Sequence, residues 1–243
     1  MANVNLKKIP KVTLTKNQVV CLTKDGCEDS EALHKVYFGA NWSAIRHYRT
    51  ENYTPGFIGR LLGRKSEVRE VTDFIEDVDL DATVLIYDKN YYLIDIVYYG
   101  HLSSICEAIR HSGDDIKGDQ NGDDGMDNET ISINLDMINP KAKYLVTVLN
   151  SYRHHKFDEI PHIGLRIYTG KLGKPDEVLA AYRLDNNPEF NGKEAIVLGY
   201  FYKSDGSSRW KFKADGTVTR ERSIKDISNG SAISAIKGGQ HGK

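Results

Sequence analysis

The run from residue 111 to 131, HSGDDIKGDQNGDDGMDNETI, places seven acidic side chains between Asp114 and Glu129 against the single cation Lys117. Carboxylates crowded this closely repel one another wherever the local dielectric falls below that of water. Gly113, Gly118, Gly122 and Gly125 interrupt any helix that could spread them apart, and they supply the positive-φ turns a loop needs to wrap its own oxygens around an ion. A hard divalent cation fits this chemistry. Ca²⁺ accepts roughly 6–8 oxygens at about 2.3–2.6 Å in irregular geometry, from Asp, Glu, Asn and backbone carbonyls. His and Cys spacing of the zinc type is absent.

Two readings of the run compete, a solvated charge loop and an ordered ion site. Strand-like segments bound it closely, YLIDIVYYG before and TISINL after, and this favours an ordered site at one end of a β-structure. The run is not an EF-hand: counting from Asp119, the first, third and fifth positions are Asp119, Asn121 and Asp123, but the sixth is Asp124 where that loop requires Gly. A second acidic element, DVDLD at 77–81, leads into the strand-like ATVLIY. In an extended chain Asp79 and Asp81 point to the same face and can hold one cation between them; the competing reading is a solvated strand start.

Clustered aspartates with a divalent metal also perform phosphoryl chemistry, which would need a base, an acid or a nucleophile as well. His101, His111, His154, His155 and His162 are candidates for such roles, yet no GxSxG, HExxH or P-loop pattern accompanies them. A metal-dependent phosphoesterase is therefore the minor reading, and a non-catalytic protein the major one. A basic stretch at 46–69, RHYRTENYTPGFIGRLLGRKSEVR, offers another chemistry. Arg46, Arg49, Arg60, Arg64 and Lys65, interleaved with Tyr48, Tyr53 and Phe57, suit a nucleotide, another anion or an anionic membrane surface. A solvated loop is the bland alternative.

The elements that must position these groups are short and β-rich. Strand-like runs occur at 12–15, 35–38, 82–87, 92–99, 130–135, 143–149, 163–168, 178–184, 195–202 and 209–213, several alternating apolar and polar, with Gly, Asp, Asn and Pro between them. This is the rhythm of an all-β, two-sheet sandwich with the acidic loops at one end. The basic stretch, with its Gly and Pro, reads as an inserted excursion, and the spacing of Val68, Val71, Ile75 and Val78 predicts a short amphipathic helix leading back. The expected organisation is a sandwich domain over 1–227, with 46–76 as insertion and short helix, and a flexible Gly-rich tail over 228–243.

Composition narrows the partners. With 33 Lys and Arg against 34 Asp and Glu, the net charge of −1 gives no overall bias toward nucleic acid. No run of about 20 apolar residues is present and the N-terminal residues lack an apolar signal core, so a cytoplasmic protein is expected. Cys21, Cys27 and Cys106, an odd set without CxxC spacing, read as reduced thiols.

In order and content the chain resembles the TerD/TerZ family of tellurium-resistance proteins. The resemblance is carried by VTLTK, VYFGANW, DLDATVLIYD, HSGDDIKGDQNGDDGMDNETISINL, FDEIPHIGLRIYTG, LAAYRLD and LGYFYKSDGSSRWKFKADG, and covers nearly all of the chain outside the basic insertion and the tail. It implies a β-sandwich binding Ca²⁺ in acidic end loops, without known catalysis, in a stress response with partner proteins of the same system, some at the membrane. The implied ligand positions are Asp79 and Asp81, then Asp114, Asp115, Asp119, Asn121, Asp123, Asp124, Asp127 and Glu129. Asp114, Asp123, Asp124 and Glu129 are the foremost candidates in the long loop, and the carboxylate supply implies two ions. The insertion at 46–70, His162 in place of a common Asn and Arg183 in place of a common acid depart from the family pattern.

Overall fold

The computed structural model describes residues 17–24, 30–185 and 187–240. The strands run β1 (Val19–Cys21), β2 (Lys35–Trp42), β3 (Ile45–Tyr53), β4 (Glu67–Glu76), β5 (Leu80–Asp88), β6 (Leu93–Val97), β7 (Ile109–His111), β8 (Glu129–Asn134), β9 (Ala142–Ser151), β10 (Ile163–Lys171), β11 (Lys174–Arg183), β12 (Ala195–Lys203) and β13 (Trp210–Val218). Helix α1 (Phe57–Leu61) lies between β3 and β4, and α2 (Ile224–Asn229) and α3 (Ser231–Gln240) close the chain.

Two antiparallel sheets face one another, one ordered β1-β13-β12-β9-β5-β6 and the other β11-β10-β2-β8-β7. Alternation along the strands fills the space between them. Leu80, Ala82, Val84 and Ile86 of β5 and Leu145 and Leu149 of β9 meet Phe38 and Trp42 of β2, Ile131 and Ile133 of β8, and Leu165 and Ile167 of β10. Side chains of that size contribute about 1.5–3 kcal/mol each on full burial. The all-β sandwich expected from the sequence is the observed fold, and every expected strand from residue 35 onward is present. The run at 12–15 and Cys27 lie outside the described residues, while Cys21 and Cys106 are free thiols.

Strands β5, β9 and β12 are buried on both faces, because α2 and α3 cover the outer face of their sheet. Ile227, Ala232, Ala235 and Ile236 pack there against Leu85, Tyr87, Val146, Val148 and Val197. Tyr87 Oη donates to the Ser228 carbonyl at 2.6 Å, and Lys213 Nζ to the Gly239 carbonyl at 2.7 Å. Over residues 228–240 the expected flexible tail is thus corrected to docked helix, while residues 241–243 lie outside the described residues. Its small residues give a weak apolar stripe, yet they let the helix lie close to the sheet: a Cβ at Gly239 would stand 2.0 Å from Tyr200 Oη.

The expected helix over 68–78 is corrected too. That segment is mostly β4, which pairs with β3 from Ile45↔Glu76 to Tyr53↔Glu67 as a separate two-stranded arm. β-Branched Val68, Val71, Thr72 and Ile75 favour the extended chain, and Pro55, Gly56, Gly59 and Gly63 all fall at the tip, where α1 is the only helix of the insertion.

Candidate metal centre at the acidic end

Asp79 immediately precedes β5 and Asp81 is its second residue, so the pleat sends both side chains to one face while Leu80 enters the core. The loop between β7 and β8 brings Asp114 to them. One carboxylate oxygen from each of Asp79, Asp81 and Asp114 lies within 4.8 Å of the others. Ligands about 2.3–2.6 Å from a shared Ca²⁺ are at most about 5 Å apart, so the three span the right distance.

The electrostatics are those of a site whose negative charge is only partly compensated. Asp81 is 3% exposed; burial pushes its carboxyl up to about 8, and the charges of Glu129, Asp79 and Asp114 act in the same direction. Burial and the Asp114 charge raise Asp79 to about 6 against the opposing pull of Arg153, whose Nε stands 3.5 Å from Asp79 Oδ2. Asn150, opposite Asp81 on β9, donates from Nδ2 to Asp81 Oδ2 at 3.1 Å, and its own Oδ1 is buried with no hydrogen-bond partner. Three carboxylates and a spare amide oxygen, with one guanidinium at ion-pair distance from Asp79, are a donor set for a hard cation. The residues fit Ca²⁺.

Glu129, a foremost candidate from the sequence, lies beside this set with its oxygens already engaged. Fully buried at the start of β8, it accepts from the Ala82 N–H at 2.8 Å and the Asp115 N–H at 3.3 Å, and contacts His111 Nε2 at 3.2 Å. His111 Nδ1 accepts from the Gly113 N–H at 3.0 Å, which leaves the ring hydrogen on Nε2 to donate to Glu129. Burial raises the Glu129 carboxyl in spite of that bond. Its role is to tie the loop to β5 and to add negative potential.

The other sequence candidates hold the loop's own shape. Asp115 accepts from the Lys117 and Gly118 N–H groups at 2.9 and 3.0 Å. Asp119 accepts from Asn41 Nδ2 and the Asp124 N–H, both at 3.2 Å. Asn128 Nδ2 donates to both Asp115 and Asp119 at 3.1 Å, while its Oδ1 accepts from the Trp42 N–H at 2.7 Å. Asn128 and Asn41 were missed from the sequence; only the position of Asn128 between Asp127 and Glu129 hinted at it. Gly118 approaches so closely that a Cβ would stand 2.7 Å from the Trp42 ring, and the indole donates to the Val78 carbonyl at 2.9 Å. The loop is therefore stitched to β2 and to the approach to Asp79.

Asp127 is buried against Gly39 and paired with Arg166 Nε at 2.7 Å. Burial raises its carboxyl while Arg166 pulls the other way. Asp123, Asp124 and Asp127 line a cleft of about 690 Å³ together with His162, Arg166 and Arg183, and none of Asp79, Asp81 and Asp114 lines it. Asn121 Oδ1 and the Gln120 carbonyl accept from Arg46 at the base of the arm. Arg49 pairs with Glu51 and Asp73 in the arm's stem, and Arg60, Arg64 and Lys65 lie at its tip. Of the ten sequence candidates, the structure brings together Asp79, Asp81 and Asp114.

Comparison with known proteins agrees with this architecture. The chain is 30% identical to tellurium resistance protein TerZ of Serratia marcescens over 93% of its own length and 98% of the relative's. It is 28% identical to stress response protein SCP2 of Bacillus subtilis, over 89% and 96% of the two chains. The crystal structure of a homologue of telluride resistance protein TerD from Streptomyces coelicolor superposes with a TM-score of 0.57 at 15% identity, covering 80% of this chain and 95% of that one. The model of the TerD domain matches residues 11–229, a span that includes both sheets and the whole acidic end, and the chain belongs to the TerD domain family.

Proposed function

We propose that this protein is a non-catalytic, Ca²⁺-binding stress-response protein of the tellurium-resistance type, in which the ion orders the acidic end and fixes a surface for partner proteins. The observation that carries the reading is the convergence of Asp79, Asp81 and Asp114 within 4.8 Å, with two of the three buried and poorly neutralised. When bound, the cation supplies the positive charge that these carboxylates lack. The chain's own contribution is positional: β5 presents Asp79 and Asp81, Glu129 and the Asn128 bridge hold the loop that carries Asp114, and Asn150 offers a neutral oxygen.

The resistance and stress roles come from the relatives' names, TerZ and SCP2. A non-catalytic role is supported by the histidines. His101, His154 and His155 pair with Asp95, Glu194 and Glu76, His162 lies between Asp123 and Asp185, and His111 is locked to Glu129. None is within ion-pair distance of Asp79, Asp81 or Asp114 among the described contacts. Among the described residues no helix is long and apolar enough to cross a membrane.

Calorimetric titration of chelator-stripped protein with Ca²⁺ at pH 7.5 tests the proposal. A saturable binding event is expected, stronger for Ca²⁺ than for Mg²⁺, because an irregular set of carboxylates suits the larger ion. No heat of binding, in protein shown to be folded, would remove the reading.

A further inference from the structure

The β3–β4 arm ends in four apolar side chains that the fold leaves uncovered. Phe57, Ile58, Leu61 and Leu62 are 84%, 71%, 77% and 72% exposed, and α1 contains no buried residue. On a helix, positions 57, 58, 61 and 62 fall on one side, so the four form a single apolar wedge. Nine paired residues of β3, at roughly 3.3 Å each, carry this wedge about 30 Å along the arm from its base.

Charge is segregated along the same arm. Arg49 and Arg69 in the stem pair with Glu51, Asp73 and Glu67, whereas residues 54–66 hold Arg60, Arg64 and Lys65 and no acid at all. Among the described residues, none of these three tip cations forms an ion pair with a carboxylate; Arg60 Nε donates to the Pro55 carbonyl at the helix start. Unpaired cations around an exposed apolar wedge complement a surface with anionic groups outside and hydrocarbon beneath. The stem is anchored at the other end, where Arg46 donates to the Gln120 carbonyl and Glu76 contacts His47 and His155 at 2.7 and 3.0 Å.

We propose that the tip of the β3–β4 arm docks the protein on an anionic lipid surface, with Phe57, Ile58, Leu61 and Leu62 inserted below the headgroups and Arg60, Arg64 and Lys65 at the lipid phosphates. This goes beyond the cation-binding reading and stands apart from it, since none of the tip residues belongs to the acidic end.

Co-sedimentation of the full chain with phosphatidylcholine vesicles, with and without phosphatidylglycerol, tests it. Chelator is kept present throughout, so that an ion cannot bridge carboxylates to lipid and failure here says nothing about Ca²⁺. The protein should partition onto phosphatidylglycerol vesicles, stay off neutral ones and dissociate as salt rises. Arg64→Gln and Lys65→Gln should each weaken partitioning about fivefold. The double variant Phe57→Ser/Leu61→Ser should weaken it tenfold or more. Because these side chains touch no core, melting curves of all the variants should match the parent. Absence of binding to phosphatidylglycerol vesicles overturns the proposal, as does binding that survives both sets of substitutions. Tip-dependent self-association in sedimentation velocity, without vesicle binding, also overturns it and would make the wedge a protein contact.

Discussion

Freed of metal by chelator, the protein is expected to lose stability steadily from pH 5 to pH 8, and saturating Ca²⁺ is expected to reverse that trend. Asp79 and Asp81 have folded-state pKa values raised to about 6 and about 8, against roughly 3.9 for an unfolded Asp. Between those limits the folded state binds more protons than the unfolded state. Stability therefore falls as pH rises, by up to about 1.4 kcal/mol per pH unit for each proton in play, and the loss is complete above the higher pKa. The two carboxyls titrate as a coupled pair, so the decline should be broad rather than stepped.

On the proposed reading Ca²⁺ is held by the ionised carboxylates and must displace their protons, so its affinity should climb through the same window. At a hundredfold excess over Kd the ion adds about 2.7 kcal/mol. For a chain of this size that is a rise in Tm of roughly 5–10 °C. Thermal melts at pH 5, 6.5 and 8, each with chelator and with Ca²⁺, check the expectation. Superimposable curves with and without ion at pH 8 would contradict it.

The second large effect runs against the usual direction for a buried substitution. Asp81→Asn should stabilise the chelated protein at pH 8, by about 1–2 kcal/mol, while abolishing its response to Ca²⁺. The amide has the shape of the carboxylate, and its oxygen can still accept from Asn150 Nδ2. What disappears is one buried negative charge beside Asp79, Asp114 and Glu129. Relief of that repulsion is the gain, and loss of a ligand is the cost. At pH 5, where Asp81 is already protonated, the variant and the parent should melt together. A variant that is destabilised in chelator and still shifts with Ca²⁺ would place the ion elsewhere.

How much of this was legible beforehand depended on burial. Strands such as ATVLIY and KYLVTVL announce themselves because one or both faces are covered, and the covering leaves an apolar pattern in the sequence. The β3–β4 arm leaves no such record. Both its faces meet solvent, so Glu, Arg, Thr and Val alternate without a hydrophobic face, and a chance helical spacing of four apolar residues outweighed the β-branched content. Helix α3 was hidden for the opposite reason, since Ala, Ser and Gly suit a close approach to β12 and β13 but read as a loose tail.

The acidic end was legible in kind and only partly in detail. Repulsion among neighbouring carboxylates is a local property, so the run from Asp114 to Glu129 stood out at once. Which oxygens converge is decided by long-range packing: Asp79 and Asp81 arrive on a strand more than thirty residues earlier, and the Trp42–Gly118 contact and Asn128 set the loop's height above them. Asp123 and Asp124 satisfy the same composition yet line a cleft shared with Arg166 and Arg183.

We propose that one cation is held jointly by Asp79, Asp81 and Asp114. The most direct test is a crystal structure of the protein grown with Ca²⁺, with the anomalous signal used to locate the ion. A peak is expected about 2.3–2.6 Å from an oxygen of each of the three residues. A fully ordered acidic end with only water among those carboxylates, or with the ion bound elsewhere, would contradict it.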